Sequence, residues 1–474
     1  MFASVRGGER SRVPSEWVRT TPSNRTVKQE GATMLSDRLG PAMLVFVLAS
    51  LAAAESPLNG TIQGSVNKDK LTNSVMHTLP LDAAVADHRT GMDGQQLPTR
   101  IISTVSPVVV RQNDPDGPKY QEALGYTFLL NSPKYPGLCR MDDGTLVLTL
   151  TAALSGEIVD GPDGVQFVDE NTRTDVILHS KDQGASWSQP RRIPGYRTTP
   201  MNLGGRRLMM RGYTSKNDVP ETYHLWFSDD AGATWGAPER IPALPDGSDV
   251  ITDVAMNFPR EGDVMRFMFF HKPTRPDRTG TIMRPYNFVE HKWGDPTFFP
   301  SSFRSSEASL ARATNGDLVG VFRSGREGIP APSDHWRGIV TGYSNDDGKT
   351  WAGPFVHSLY GHVHHSLVVF PDGRILMTFA SRLGEFDGRL YHGCEAVFSH
   401  DHGRTWEWER RFILFRWPDG SMHSPQSVRL DDGRVLTVIM HHTSYTWRDK
   451  QTHGNLLAMS HVSVVIWEPR RGSH

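Results

Sequence analysis

Two cysteines, Cys139 and Cys394, are all that 474 residues contain. A disulfide-stapled scaffold needs many more, so both are expected as unpaired, mostly buried thiols, with one disulfide as the alternative. Charge of one sign is missing as well. Lys and Arg number 51 against 52 Asp and Glu, a formal net charge of −1 with a pI near 7.1. That removes the electrostatic case for a nucleic acid or a membrane surface as partner. Long hydrophobic runs are absent too: the apolar stretch from Ala42 to Ala54 is too short to span a bilayer. What the chain does have is 44 Gly and 32 Pro, a supply of turns that suits an all-β fold better than a helical bundle.

The N-terminal quarter divides by composition. Residues 1–33 are polar and without pattern. Residues 34–54 read as a secretory signal: Arg38 supplies the charge, Ala42 to Ala54 the apolar core, and Ala52-Ala53-Ala54 a small-residue cleavage site. An uncleaved anchor is the alternative; both place the bulk of the protein outside the cytoplasm, secreted or periplasmic. Residues 55–100 form a polar linker.

From residue 101 onward one element recurs, two β-rich runs joined by a glycine turn. The turn glycines are Gly144, Gly205, Gly262, Gly316, Gly373 and Gly433, at separations of 61, 57, 54, 57 and 60 residues. Asp-Gly and Asn-Gly between β-branched runs mark hairpins, because these residues tolerate positive φ. Six hairpins at a nearly constant period imply six copies of one sheet, and a closed ring protects their edges. A six-bladed β-propeller of four-stranded antiparallel blades over residues 101–474 is therefore expected. The run RIISTVSPVVVR is expected to supply the outer strand of the last blade and so close the ring.

A second motif, S-x-D-x-G-x-[S/T]-W, occurs at Ser180–Trp187, Ser228–Trp235, Ser344–Trp351 and Ser399–Trp406. It is a turn kit: the Asp accepts backbone N–H groups, the glycine opens the dihedral, and the tryptophan packs between sheets. These repeats resemble the Asp-boxes of the sialidase superfamily, in which they join the third and fourth strands away from the active site. The resemblance makes Asp182, Asp230, Asp346 and Asp401 structural.

In such a ring the inner strand of each blade starts at one mouth of the channel, about ten residues before its turn glycine. Counting back reaches Lys134, Arg197, Asp253, Glu307, His362 with His364, and His423. Counting forward reaches Arg211, His271, Arg323, Arg382 and His441. A ring of ionisable side chains is costly to assemble unless it binds something polar; the bland alternative is a set of solvated strand ends. Three histidines in four residues leave a metal site as an alternative, but alternation puts only His362 and His364 on one strand face and supplies no third ligand; no metal or cofactor is the expectation.

The stretch SSEASLARATNGDLVGVFRSG resembles the sialidase blade in which a Glu faces the channel and an Arg follows sixteen residues later. The resemblance makes Glu307 the carboxylate that assists the nucleophile and Arg323 a holder of the sugar carboxylate. A structural salt bridge is the alternative. GHVHHSLVVFPDGRILMTFASR resembles the following blade, with His362, His365 and Arg382 at matching places. The chain also departs from the family. Lys134-Tyr135-Pro136 stands where an Arg-Ile-Pro is expected, histidines replace an arginine in blade five, and His423 occupies the place of the blade-six tyrosine nucleophile. Tyr391 and Tyr445 are the substitutes in nearby loops. For the general acid, Asp253 is the candidate by position, and the loop containing Glu157, Asp160, Asp163, Asp169, Glu170 and Asp175 offers others.

Three functions follow. The first is a sialidase-like exo-glycosidase removing a terminal acidic sugar, with Glu307, Asp253 and His423 in the chemistry and Lys134, Arg211, Arg323, His362, His364 and Arg382 binding the substrate. The second is a lyase acting on uronic-acid polymers, with His364 or His423 abstracting a proton. The third is a glycan-binding propeller without chemistry.

Overall fold

The computed structural model describes residues 101–104, 110–111, 123–128 and 133–469, except for 154–157, 161–165, 170–172, 215–222, 246, 248–249, 252–257, 272–280, 300–304, 326–336, 358–361, 387–388, 418–420, 443–455 and 459. The segments expected as a secretory signal (34–54) and a linker (55–100) lie outside the described residues. The described chain is an all-β, six-bladed propeller, and its one helical element is a short 3-10 turn at Trp408–Arg410.

Blade one shows the pattern. Its strands are Lys134–Arg140, Leu146–Ala153, Arg173–Ser180 and Arg191–Ile193, paired antiparallel in that order from the channel outward. Blade two (Tyr196–Gly204 to Glu239–Arg240) and blade four (Ser305–Arg312 to Ala352–Val356) repeat it. Blade three is built on Val264–His271 and Thr281–Asn287, flanked by short strands. All six turn glycines have positive φ, from 59° to 92°, the backbone region that glycine enters without a Cβ penalty.

The second strands read as continuous apolar runs because a blade is covered on both faces by its neighbours. Leu146, Val147, Leu148 and Leu150 are all fully buried. The hydrophobic core is accordingly divided among the blade interfaces. Six buried clusters occur among the described residues, each formed by two neighbouring blades. One of them joins Leu146 and Leu178 of the first blade to Leu436 and Val464 of the last, and so seals the ring.

Ring closure differs from expectation in one respect. The last blade takes Ser421–Arg429, Val435–His442 and Ser460–Trp467 from the C-terminus, and its fourth strand is Ala123–Phe128. The run expected there is split: Ile101–Thr104 pairs outside Ala123–Phe128, and Val110–Arg111 adds an outer strand to blade five. Ala123 to Thr127 pair antiparallel with Trp467 to Ser463, a pairing that no local pattern encodes.

The four S-x-D-x-G-x-[S/T]-W turns share one geometry. In the first, Ser180 Oγ donates to Asp182 Oδ1 (2.8 Å), the Gly184 N–H donates to Ser180 Oγ (2.8 Å), and the Ser186 N–H donates to Asp182 Oδ1 (2.9 Å). The same bonds recur around Asp230, Asp346 and Asp401. Two successive residues are left-handed in each, for instance His402 (φ 58°) and Gly403 (φ 84°). The glycines also abut the preceding blade: a Cβ on Gly403 would lie 2.5 Å from Val319 Cγ1. Gly403→Ala is therefore expected to lower the unfolding free energy by about 2 kcal/mol or more, read as an earlier urea midpoint at unchanged slope. A midpoint matching the wild type would mean that blades four and five part easily there.

Both cysteines are unpaired thiols. No helix among the described residues is long and apolar enough to cross a membrane.

Candidate functional site

The inner strands do not run straight into the channel mouth. In blade one the register passes from Lys134↔Thr151 to Gly137↔Thr149, so Tyr135-Pro136 face a single residue of the next strand. The same slip falls at Arg197-Thr198 in blade two, Ser306-Glu307 in blade four, His364-His365 in blade five and Ser424-Pro425 in blade six. Each is a bulge, which bends the strand and re-aims its side chains. Four first-position residues carry positive φ: Tyr135 (49°), Arg197 (53°), His364 (53°) and Ser424 (48°). Such backbone costs on the order of 1–3 kcal/mol per residue and persists only where its surroundings hold it.

The supports are visible. Thr149 Oγ1 of blade one donates to the Thr198 carbonyl (2.7 Å), and Ser309 Oγ of blade four donates to the His365 carbonyl (2.7 Å). Both bulges are thus tied to the preceding blade. Asp175 grips the blade-two bulge. Its Oδ2 accepts the Thr198 N–H and hydroxyl (2.6 Å each), and its Oδ1 accepts the Thr151 hydroxyl (2.6 Å) and the Arg197 N–H (3.2 Å). The sequence placed Asp175 in an acidic loop. The structure places it on the third strand of blade one, fully buried. Burial pushes its carboxyl up to about 6, against the pull of these hydrogen bonds.

Glu307, the second residue of the blade-four bulge, meets two partners. Arg323 Nη1 of the adjacent strand donates to its Oε1, and His364 Nδ1 of blade five lies 3.2 Å from its Oε2. The Glu307 and Arg323 side chains are 1% and 7% exposed, so the pair is withdrawn from water. His365, at the corresponding place in blade five, sits 3.4 Å by its Nδ1 from Ser309 Oγ. Its buried Nε2 has no hydrogen-bond partner among the described residues. Burial and the nearby Arg323 charge push this imidazole down to about 3, so it is neutral at physiological pH.

The bulge also separates the blade-five histidines that alternation had put on one face. His362 turns to the interface of blades four and five, 5.0 Å from the Phe379 ring and 5.9 Å from Trp408, centroid to centroid. Its Nε2 is 4.0 Å from Glu395 Oε1, and Glu395 is bonded to Arg411. The structure thus brings together Glu307, Arg323 and His364 and leaves His362 apart. Lys134 and Arg211 are buried at the mouth ends of their strands, Arg211 between the rings of Tyr223 (5.4 Å) and Phe258 (5.2 Å). Asp253 and Tyr445 lie outside the described residues. Arg382, Tyr391 and His423 are on described strands, but their side chains lie outside what is described.

Among the described residues, Lys134, Arg197, Arg211 and Arg323 are buried or half-buried at the bulged mouth, together with the carboxylates Glu307 and Asp175. The far end of the channel differs. A cavity of about 370 Å³ opens there between the inner strands, with Leu138, Met201 and Leu367 in its walls. Arg140 and Arg260 beside it pair with Asp431 and Asp142. The left-handed backbone of the inner strands is at the bulged end. No group of three His, Cys, Asp or Glu placed to hold a metal ion occurs among the described residues.

Fold and mouth together define a propeller with a bulge-lined channel entrance. No protein-family model and no curated protein sequence matches the chain. Among solved structures it is similar to a protein of unknown function from Dyadobacter fermentans, at TM-score 0.53 and 16% identity over 78% of this chain and 99% of that one. It is also similar to a leech intramolecular trans-sialidase complexed with 2,7-anhydro-Neu5Ac, at TM-score 0.51 and 12% identity over 72% of this chain and 68% of that one. Likeness at these identities establishes the fold and nothing finer.

The sequence named Asp175 only as one of several loop acids and His365 only by resemblance, and gave neither its observed place. Asp175 carried a usable signal: it lies five residues before Ser180, on the strand that leads into the first S-x-D-x-G turn. The histidine pair carried none, because only the bulge decides which of two adjacent histidines faces Glu307.

Proposed function

We propose that this protein is a secreted, sialidase-like glycosidase that removes a terminal acidic sugar from a glycan. The observation that carries the reading is Glu307, bonded to Arg323 and 3.2 Å from His364 Nδ1, on the blade-four bulge at the channel mouth. A buried carboxylate fixed in this way is suited to activating a nucleophile or taking a proton as the glycosidic bond breaks. Arg197, with no carboxylate within ion-pair distance of its guanidinium among the described residues, suits a substrate that brings its own negative charge. The leech trans-sialidase complexed with a sialic-acid derivative offers a precedent for such substrates on this fold.

The contact between His364 Nδ1 and Glu307 favours a second reading. A carboxylate on one imidazole nitrogen orients the ring and makes its other nitrogen a better base. Such a base could take the proton α to a uronate carboxylate. The C–O bond to the leaving sugar would then break, a carbon–carbon double bond would form, and an acid would protonate the departing oxygen.

The test is turnover by the full chain of a fluorogenic α-sialoside, and of uronic-acid polymers followed by ultraviolet absorbance, with Glu307→Gln alongside. The expected result is hydrolytic turnover that falls about 100-fold or more in the variant. Absorbing, unsaturated products would move the assignment to the lyase. Binding of acidic glycans without any turnover would leave a lectin-like propeller and overturn the enzyme reading.

A further inference from the structure

Arg323 is the arginine that the resemblance to sialidases assigns to the substrate's carboxylate, yet its Nη1 is already committed to Glu307. A guanidinium engaged in this way has less to offer an incoming anion. Arg197, across the mouth in blade two, is in a different position. Its Nη2 donates to Tyr135 Oη (2.7 Å), and its Cζ lies 4.1 Å from the Tyr135 ring centroid and 5.5 Å from that of Tyr196. Its Nε is buried without a hydrogen-bond partner, and no carboxylate is within ion-pair distance among the described residues. Asp175, the nearest acid in its surroundings, is spent on the backbone N–H groups of Arg197 and Thr198 and on two threonine hydroxyls, not on the guanidinium.

The local backbone makes this expensive to maintain. Arg197 occupies left-handed φ (53°) at the first position of its bulge, and three hydrogen bonds to one buried acid hold that bulge in place. Cation–π contact with tyrosine orients a guanidinium but does not satisfy its N–H donors. A half-buried cation with a donor left over and tyrosine rings beside it is complementary to a planar, two-oxygen anion on a sugar ring.

We infer that Arg197, steered by Tyr135 and by the Asp175-pinned bulge, is the anchor for the carboxylate of the acidic sugar. The inference rests on the proposed acidic-sugar activity but names a binding group outside the Glu307 cluster. Arg197 takes the anion, Tyr135 orients the guanidinium, and Glu307 with His364, on blades four and five, stays available for chemistry.

The test is equilibrium binding to the full chain by calorimetry, with N-acetylneuraminate, glucuronate, glucose and inorganic sulfate as probes. Wild type should bind at least one acidic sugar and should discriminate it from glucose. Arg197→Met should lose about 10-fold or more of that affinity, and Arg197→Lys should recover part of it, because charge returns without the fork. Tyr135→Phe, which removes only the hydroxyl, covers the case in which Arg197→Met fails to fold. It should weaken the acid and leave glucose unaffected. Unchanged acidic-sugar affinity in Arg197→Met would overturn the inference while leaving the acidic-sugar reading in place. Sulfate binding that needs Arg197, with no acidic sugar bound, would keep the anion site and remove the sugar assignment. Failure of the wild type to bind any of the three anions would overturn the inference itself.

Discussion

Arg323→Met is expected to destabilise the protein by about 3–5 kcal/mol, the usual result of removing one partner of a buried ion pair. Its cause is the Glu307 carboxylate, which is 1% exposed and would lose its counter-charge in a medium that solvates it poorly. His364 at 3.2 Å offers partial relief, but an imidazole is a weaker and conditional counter-charge. The double variant Glu307→Gln/Arg323→Met should recover most of the loss, because no uncompensated charge is then buried. Urea midpoints and slopes for the four chains of the cycle measure the coupling directly. A single variant within 1 kcal/mol of wild type, on the scale of exposed pairs, would show that water reaches the pair. The cycle also separates folding from chemistry, since the stable double variant should remain inactive.

Asp175 should give the chain a stability component that runs against the usual acid denaturation. Its carboxyl titrates near 3.8 in the open chain and is pushed up to about 6 when folded, chiefly by burial. Between about pH 4 and pH 6 the folded state therefore holds a proton that the unfolded state has released. Folding is favoured on the acid side of this window, and that contribution disappears as pH rises through about 6. For a shift of this size the change amounts to about 3 kcal/mol. Other carboxylates act in the opposite direction, so the measurement is a difference: unfolding free energy of wild type minus that of Asp175→Asn, at pH 4 and at pH 7. The difference should fall by about 3 kcal/mol at the higher pH. A difference independent of pH would mean that the carboxyl ionises as easily in the fold as outside it.

Much of the architecture was legible because propeller blades are local. Each hairpin closes within a few residues, so Gly144, Gly316, Gly373 and Gly433 mark turns that the chain makes without help from distant segments. The Asp182, Asp230, Asp346 and Asp401 turns are equally local, with every bond spanning no more than four residues. The pairing of Glu307 with Arg323 was reachable for the same reason. They lie on adjacent strands of one hairpin, and one of the two alternatives drawn from sequence, an ion pair between them, is present.

The sequence by itself therefore determined the number of blades and the turn chemistry, since both follow from short-range periodicity and dihedral preference. Tertiary structure alone decided the rest. Ala123–Phe128 closes the last blade because its partner, Ser460–Trp467, is more than three hundred residues away, and register at that separation is set by packing rather than by pattern. The bulges sent His362 to Trp408 and His364 to Glu307, reversing what a two-residue alternation implies. Only the assembled ring shows that Arg323 has a carboxylate beside it while Arg197 has a tyrosine. Whether a charge is compensated depends on side chains that neighbouring blades bring to it, and no single strand carries that information.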